Sequence, residues 1–383
     1  MATEKLWTRN FVMATLSGLF SALVFYITMT TLALYAQRVY DAGASLSGLT
    51  ASIFVIGSVI GRMFCGRTLE RIGRKRLLLS ANGLFILLSA LYLVPMPLAA
   101  FLALRTVHGF AFGVVHSALS TIVVSYIPKA RLGEGIGFFS LNFVIATALG
   151  PFVGMTVSRA FSYTALFVFC TGLAAVGFAL ALLLRIVAEA QRRPSNHIIE
   201  KSALPLAFVI LLCSLCYTGV TTFLESYTET RGLSAAAPVF FIVYAAFILA
   251  FRPLAGKLLD RRGDNAVMVP TIVFFAASLV VLAFSGTWPL FLLTALLMAL
   301  GYGNVLNMGQ AVAVKAAPPE RVALATSTYF MFSDTGMGLG PFLVGLVVTA
   351  RGFSGAYLAE AVVCAAALMI YLLLHGLAAR RAC

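Results

Sequence analysis

The chain has 383 residues, of which 61% are hydrophobic and only 10% charged, with a mean hydropathy of +1.00. A soluble domain carries roughly 25% charged residues, so the composition excludes a soluble globular protein and points to a polytopic membrane protein. The formal net charge of +14 does not indicate a nucleic-acid partner, because the cations gather in short loops on one side of the expected topology.

At about 20 apolar residues per crossing, the sequence predicts twelve helices, near 11–37, 45–66, 75–96, 98–126, 133–158, 161–187, 203–229, 233–258, 266–285, 288–316, 321–350 and 354–377. The first apolar run, Phe11–Ala36, follows Lys5 and Arg9 and is too long for the core of a cleaved signal peptide. Lys5, Arg9, the 67–76 cluster, Lys129, Arg131, Arg192, Arg193, Lys201, Lys257, Arg261, Arg262, Lys315, Arg321, Arg380 and Arg381 fall on one side of this topology. The other side carries only Arg38, Arg159, Arg231 and Arg351. By the positive-inside rule the first side is cytoplasmic and holds both termini, the arrangement of a multi-pass protein of the bacterial inner membrane.

The chain also repeats itself. Gly66-x-x-x-Glu70-Arg71 recurs as Gly256-x-x-x-Asp260-Arg261, Arg62 as Arg252, Gly150-Pro151 as Gly340-Pro341, and Pro128 and Arg131 as Pro318 and Arg321, each 190 residues on. Two six-helix halves follow, 1–188 and 203–383, joined by a polar cytoplasmic linker at 189–202 that holds Gln191-Arg192-Arg193-Pro194-Ser195-Asn196. Of the six cysteines, Cys213-x-x-Cys216 has redox or metal spacing. It lies inside an apolar helix with no second ligand pair, so it reads as small-residue packing, and no metal site is expected.

Between the second and third spans lies Gly66-Arg67-Thr68-Leu69-Glu70-Arg71-Ile72-Gly73-Arg74-Lys75-Arg76. This stretch resembles the loop between helices 2 and 3 of major facilitator superfamily transporters, with Glu70 where that family usually has Asp. Gly66 and Gly73 suit close backbone approach or positive φ. The resemblance implies an all-α membrane fold of twelve helices in two pseudo-symmetric halves, with a substrate site at their interface. It further implies that Gly66, Glu70, Arg71, Gly73, Arg74 and Lys75 form a conformational latch, with a weaker copy at Asp260 and Arg261. In the fifth span Ala146-x-x-x-Gly150-Pro151-Phe152-Val153-Gly154-Met155 resembles the signature of the drug/proton antiporter branch, with Ala146 and Met155 in place of its first and last Gly. Residues 146, 150 and 154 also make a small-residue groove on one face.

In the fourth span Arg105-Thr106-Val107-His108-Gly109 resembles the R-x-x-Q-G signature of proton-driven members, with His108 in the Gln position. Arg105 lies about 10 Å into the span, a depth at which a cation needs a partner or water. His116, eleven residues on, shares its face. The seventh span places Thr218, Thr221, Thr222 and Glu225 on one face at helical spacing. The eleventh holds Asp334 near mid-membrane. Glu225, Asp334, Arg105 and His116 are therefore the candidate proton-coupling residues, because an intramembrane acid beside a movable cation can switch between ionised and protonated forms. Glu360 is left unassigned. Asn142, Thr218, Thr222, Tyr244, Asn304, Asn307, Tyr329 and Phe332 are candidate substrate contacts: aromatic side chains with a few polar groups suit a mostly apolar ligand.

No His-Glu-x-x-His, Gly-x-Ser-x-Gly or nucleotide-binding P-loop occurs, so the common hydrolase signatures and ATP drive are disfavoured. The expected activity is proton-coupled efflux of small apolar or amphipathic molecules by alternating access. It is driven by the proton gradient without a cofactor, by a monomer in the lipid bilayer. Export of a specific metabolite (a sugar or a metal-chelating amino-acid derivative) and proton-coupled uptake are the alternatives.

Overall fold

A computed structural model describes residues 6–128, 131–186, 199–318 and 321–376. It is helical almost throughout, with no strand among the described residues. The helices are α1 (Arg9–Tyr40), α2 (Ala44–Ile72), α3 (Arg74–Leu91), α4 (Leu98–Tyr126), α5 (Leu132–Ala160), α6 (Tyr163–Leu182), α7 (Leu204–Thr230), α8 (Ala236–Arg262), α9 (Asp264–Ala283), α10 (Trp288–Leu300), α11 (Tyr302–Lys315) and α12 (Val322–Tyr371).

Two departures from the expected spans have local causes. The tenth span is two segments, broken at Gly301 (φ −82°, ψ −103°), where the Gly301 backbone presses on that of Phe275 and leaves no room for a side chain. The eleventh and twelfth spans run together as α12. Fifty residues of helix measure about 75 Å, more than twice the ~30 Å of a bilayer core, and the run is kinked at Gly352, whose φ of 68° no helical residue adopts. α12 therefore has two arms, 322–351 and 353–371. Gly73 (φ 93°) and Gly263 (φ 79°) end α2 and α8 in the same way. They stand 190 residues apart, the offset of the sequence repeat.

Among the described residues nine helical stretches are long and apolar enough to cross a membrane, and the one at Leu324–Gly376, with 53 residues, is counted once. α3 is not among them, for it opens on Arg74, Lys75 and Arg76. The apolar part of α8, Ala236–Phe251, is shorter.

The chain divides into two compact units, Met1–Tyr35 with Ile53–Arg193, and Ala36–Ser52 with Pro194–Cys383. The tip of the α1–α2 hairpin thus packs within the second unit. There Arg38 Nη2 pairs with Glu229 Oε1 at 2.5 Å, the Phe342 amide donates to Ser52 Oγ at 3.0 Å, and Gly48 lies against the Pro341 carbonyl. Arg38 and Glu229 are both partly exposed, so this ion pair contributes about 0–1 kcal/mol.

In the first unit, α2 and α4 cross through four reciprocal glycine contacts. A Cβ on Gly57 or Gly61 would meet the carbonyl oxygens of Thr106 and Phe110, and one on Gly109 or Gly113 those of Phe54 and Ser58, all at 2.2 Å or less. Gly150 and Gly154 seat α5 on Tyr26, Ile27 and Thr31 of α1. The second unit repeats this with Gly336 and Gly340 seated on Leu211 and Leu215 of α7. The small-residue grooves are the close-packing surfaces of each unit.

Gly109→Val forces α2 and α4 apart and should destabilise the protein by about 1–3 kcal/mol, as overpacking does. Gly83→Ala, with open space around its Cβ, should be neutral or stabilising by up to about 1 kcal/mol. Thermal unfolding of the two purified variants checks both signs.

Candidate functional site

Arg105 is fully buried on α4. Its guanidinium lies 4.4 Å over the Phe54 ring and donates to Thr28 Oγ1 at 3.2 Å and to Tyr92 OH at 3.4 Å. The α2–α4 glycine crossing brings Phe54 into reach. Tyr92 OH also meets His108 Nδ1 at 3.0 Å, and His108 Nε2 meets Ser89 Oγ at 3.1 Å. Ser89 itself donates to the Phe85 carbonyl at 2.8 Å, so it must accept from His108. The ring is then the Nε2–H tautomer and accepts from Tyr92. Arg105, Tyr92, His108, Ser89 and the Phe85 carbonyl form one continuous chain of donors and acceptors.

The histidine beside Arg105 is thus His108, one helical turn on. His116 packs among the rings of Phe112, Phe139 and Phe143, at 5.9, 5.9 and 4.5 Å. Its Nε2 has no hydrogen-bond partner among the described residues. Asn142 donates to the Thr15 carbonyl at 2.7 Å and ties α5 to α1.

In the second unit Thr218, Thr222 and Glu225 are all buried on α7, which is buried on every side from Cys216 to Thr228. Thr218 Oγ1 bonds back to the Ser214 and Leu215 carbonyls where Gly340 presses on it. Thr222 Oγ1 has no hydrogen-bond partner among the described residues. Tyr217 stacks on Tyr302 at 3.9 Å and on Tyr244 at 6.1 Å. Tyr302 OH and Ser333 Oγ both meet Ser214 Oγ, at 3.2 and 3.0 Å. Asn304 sits at the α10–α11 break, where its Nδ2 satisfies the Ala299 and Leu300 carbonyls and its buried Oδ1 has no partner among the described residues. Asn307 donates to the Gly303 carbonyl, Tyr329 OH to the Val305 carbonyl, and Phe332 packs edge-on to Phe208. Asp334 is half-buried on the first arm of α12.

Of the latch residues, Gly73 takes the positive φ that separates α2 from α3, whereas Gly66 is helical with open space around it. Lys75 Nζ donates to the Leu184 carbonyl at 3.0 Å, placing a cation at the C-terminal end of α6, where the helix dipole favours it. Arg71 and Arg261 are exposed and Arg74 is half-buried. The side chains of Glu70 and Asp260 lie outside the described residues. Pro151 is carried within α5 between the two glycines that meet α1.

The polar cluster around the second-half loop is one residue group further on. Asp264 pairs with Lys315 at 3.1 Å and His375 at 3.0 Å, and Asn265 bonds Tyr371 OH at 2.8 Å and the Gly376 carbonyl at 2.9 Å. These residues, with Tyr92 and Ser89, have no motif in the sequence that marks them as a site, and His108 is marked only by its place in the fourth-span motif. For Asp264 and Asn265 the sequence offers only the acid and amide that follow Gly263.

The sequence pattern of the Major Facilitator Superfamily matches residues 14–268 and 238–381, and the chain belongs to this family of membrane transporters. It is a multi-pass membrane protein. Among its relatives is a multidrug resistance protein, MdtG, of Enterobacter lignolyticus (strain SCF1), 27% identical over 379 residues, spanning 93% of this chain and 90% of that protein. The fold is similar to those of the nucleoside transporter NupG (TM-score 0.77, 16% identity, 95% of this chain and 99% of that one) and of a bacterial homolog of the human lysosomal transporter Spinster in an inward-facing, unoccupied conformation (TM-score 0.78, 12% identity, 97% of each chain).

Tyr92→Phe removes the hydroxyl shared by Arg105 and His108 and leaves a buried ring nitrogen unsatisfied. It should cost about 1–3 kcal/mol. Combined with His108→Phe, the loss should be smaller than the sum of the two single losses, which a double-mutant cycle on thermal stability will show.

A pH prediction comes from Glu200, which lies just ahead of α7. The Ser202 backbone N–H holds its carboxyl below the ordinary value, and the Ser202 hydroxyl and Arg321, 3.5 Å away, act in the same direction against partial burial. A depressed carboxyl pKa contributes stability at any pH above the ordinary value near 4.5, and loses it only as pH falls through the lower folded value. Protection of the Ser202 amide against hydrogen exchange, taken relative to the intrinsic rate at each pH, should therefore persist from neutral pH down to that range and fall below it, and in Glu200→Gln it should be lower at neutral pH.

Proposed function

We propose that this transporter exports small apolar or amphipathic molecules in exchange for protons, by alternating access of its two halves. The observation that carries the reading is Glu225. It is 1% exposed in the middle of a hydroxyl-bearing face of α7, and acids within membrane spans mark substrate and proton pathways. The full-length likeness to MdtG proteins, which are named for multidrug resistance, supports export over uptake. The aromatic surroundings of Tyr217, Tyr244 and Tyr302 suit a ligand with apolar area and few polar groups. Arg105, which donates to Thr28 and Tyr92, supplies the buried cation of the other half. In this reading the protein lies in the bacterial inner membrane with both termini cytoplasmic, works as a monomer, and uses the proton gradient in place of a cofactor. The loop at Gly66–Arg76 and its copy at Asp260 and Arg261 then regulate which side opens.

Inverted vesicles given an acidic lumen should accumulate an amphipathic dye such as ethidium, and an uncoupler should abolish the accumulation. Glu225→Gln should abolish gradient-driven uptake while leaving dye binding measurable and flattening its pH dependence. Accumulation that survives the uncoupler sinks the antiport reading. A flattened curve in Asp334→Asn alone moves the role to Asp334.

A further inference from the structure

Glu360 lies on the second arm of α12, 3% exposed, and neither of its carboxyl oxygens has a hydrogen-bond partner among the described residues. Its Oε1 rests on the backbone of α7: a Cβ on Gly219 would fall 1.8 Å from it and 2.9 Å from Val344 of the first arm. The titratable groups that face it are neutral in kind. They are the Cys216 thiol of α7, which meets the Glu360 backbone carbonyl at 3.4 Å, and on its own arm the Tyr357 phenol, with the Cys364 thiol beyond. α9 also packs on α12, and past Asp264 at its start it carries no titratable residue. The first arm presents Val344. No cation is recorded against this carboxyl among the described residues.

An ionised carboxylate in such a seat has lost its water and gained nothing in return, so the group stays there only as the neutral acid. A glutamine would fill the same volume without that constraint, and an apolar residue would avoid it altogether. The carboxyl also sits on the helix that carries Glu225, six residues along.

We propose that Glu360 is a second proton-binding site of the transporter, occupied by an exchangeable proton while its carboxyl rests on Gly219 of α7. Loss of that proton leaves a charge in an apolar seat, which drives the second arm and α7 apart, so the proton sets how α7 is held. This deepens the proton-coupled reading above and rests on it for its role in transport.

The test is infrared spectroscopy of the full chain in proteoliposomes at neutral pH, in H2O and D2O. Wild type should show the carbonyl stretch of a protonated carboxylic acid that shifts on deuteration and is missing in Glu360→Gln. Identical spectra in wild type and Glu360→Gln overturn the proposal, as does a band that deuteration does not move, which marks a fixed proton. Should Glu360→Gln fail to fold, Gly219→Ala decides the matter. Its methyl takes the carboxyl's place, so the band should shift or vanish, and an unchanged band overturns the proposal. Ethidium flux under an imposed pH gradient in the same proteoliposomes separates the two readings. No gradient-driven flux in wild type refutes antiport and leaves the infrared result standing. Flux whose pH dependence is lost in Glu360→Gln supports the role in transport, and flux with unchanged pH dependence removes it.

Discussion

Close backbone contact between helices is the constraint on which the rest of the structure depends. In lipid, apolar side chains gain nothing by leaving their solvent for the protein interior, so helices associate through van der Waals packing and interhelical hydrogen bonds. Here that packing is reached by removing side chains. Gly57, Gly61, Gly109 and Gly113 bring α2 and α4 backbone to backbone, Gly150 and Gly154 bring α5 onto α1, and Gly336 and Gly340 bring the first arm of α12 onto α7. The same device in both units is what the internal repeat looks like at atomic scale.

The buried polar groups follow from these crossings. Arg105 is stabilised where it lies because the α2–α4 contact places Phe54 under its guanidinium and because Thr28 and Tyr92 accept its hydrogen bonds. His108 continues that chain to Ser89 and the Phe85 carbonyl, because a neutral imidazole can donate at one nitrogen and accept at the other. In the second unit the hydroxyl chain of Tyr302, Ser214 and Ser333 does the same work between α7, α11 and α12. Glu360 stands apart, since its carboxyl has been given a place but no partner among the described residues.

Several residues chosen for chemistry serve the fold in this conformation. Asn304 satisfies the carbonyls freed by the break at Gly301, Asn142 ties α5 to α1, and Lys75 caps α6. A break in a membrane helix frees backbone groups that must be satisfied locally, so an amide next to it has a structural duty whatever else it does. Such duties do not show in a sequence, because the break at Gly301 leaves no mark in the apolar run from Trp288 onward.

The amino-acid sequence alone determined where the apolar runs lie, that the cations cluster between them, that the chain repeats at an offset of 190, and that its basic loop and Gly-Pro groove resemble those of the major facilitator family. These features are one-dimensional: hydropathy over a window and spacing along the chain suffice to read them. The tertiary structure decided which polar residues meet. It put His108 rather than His116 beside Arg105, joined Asp264 to Lys315 and His375, and set Glu360 on Gly219. Those choices depend on the rotation of each helix about its own axis. Hydropathy cannot set that rotation where lipid and protein interior are equally apolar, and only the packing of one backbone against another does.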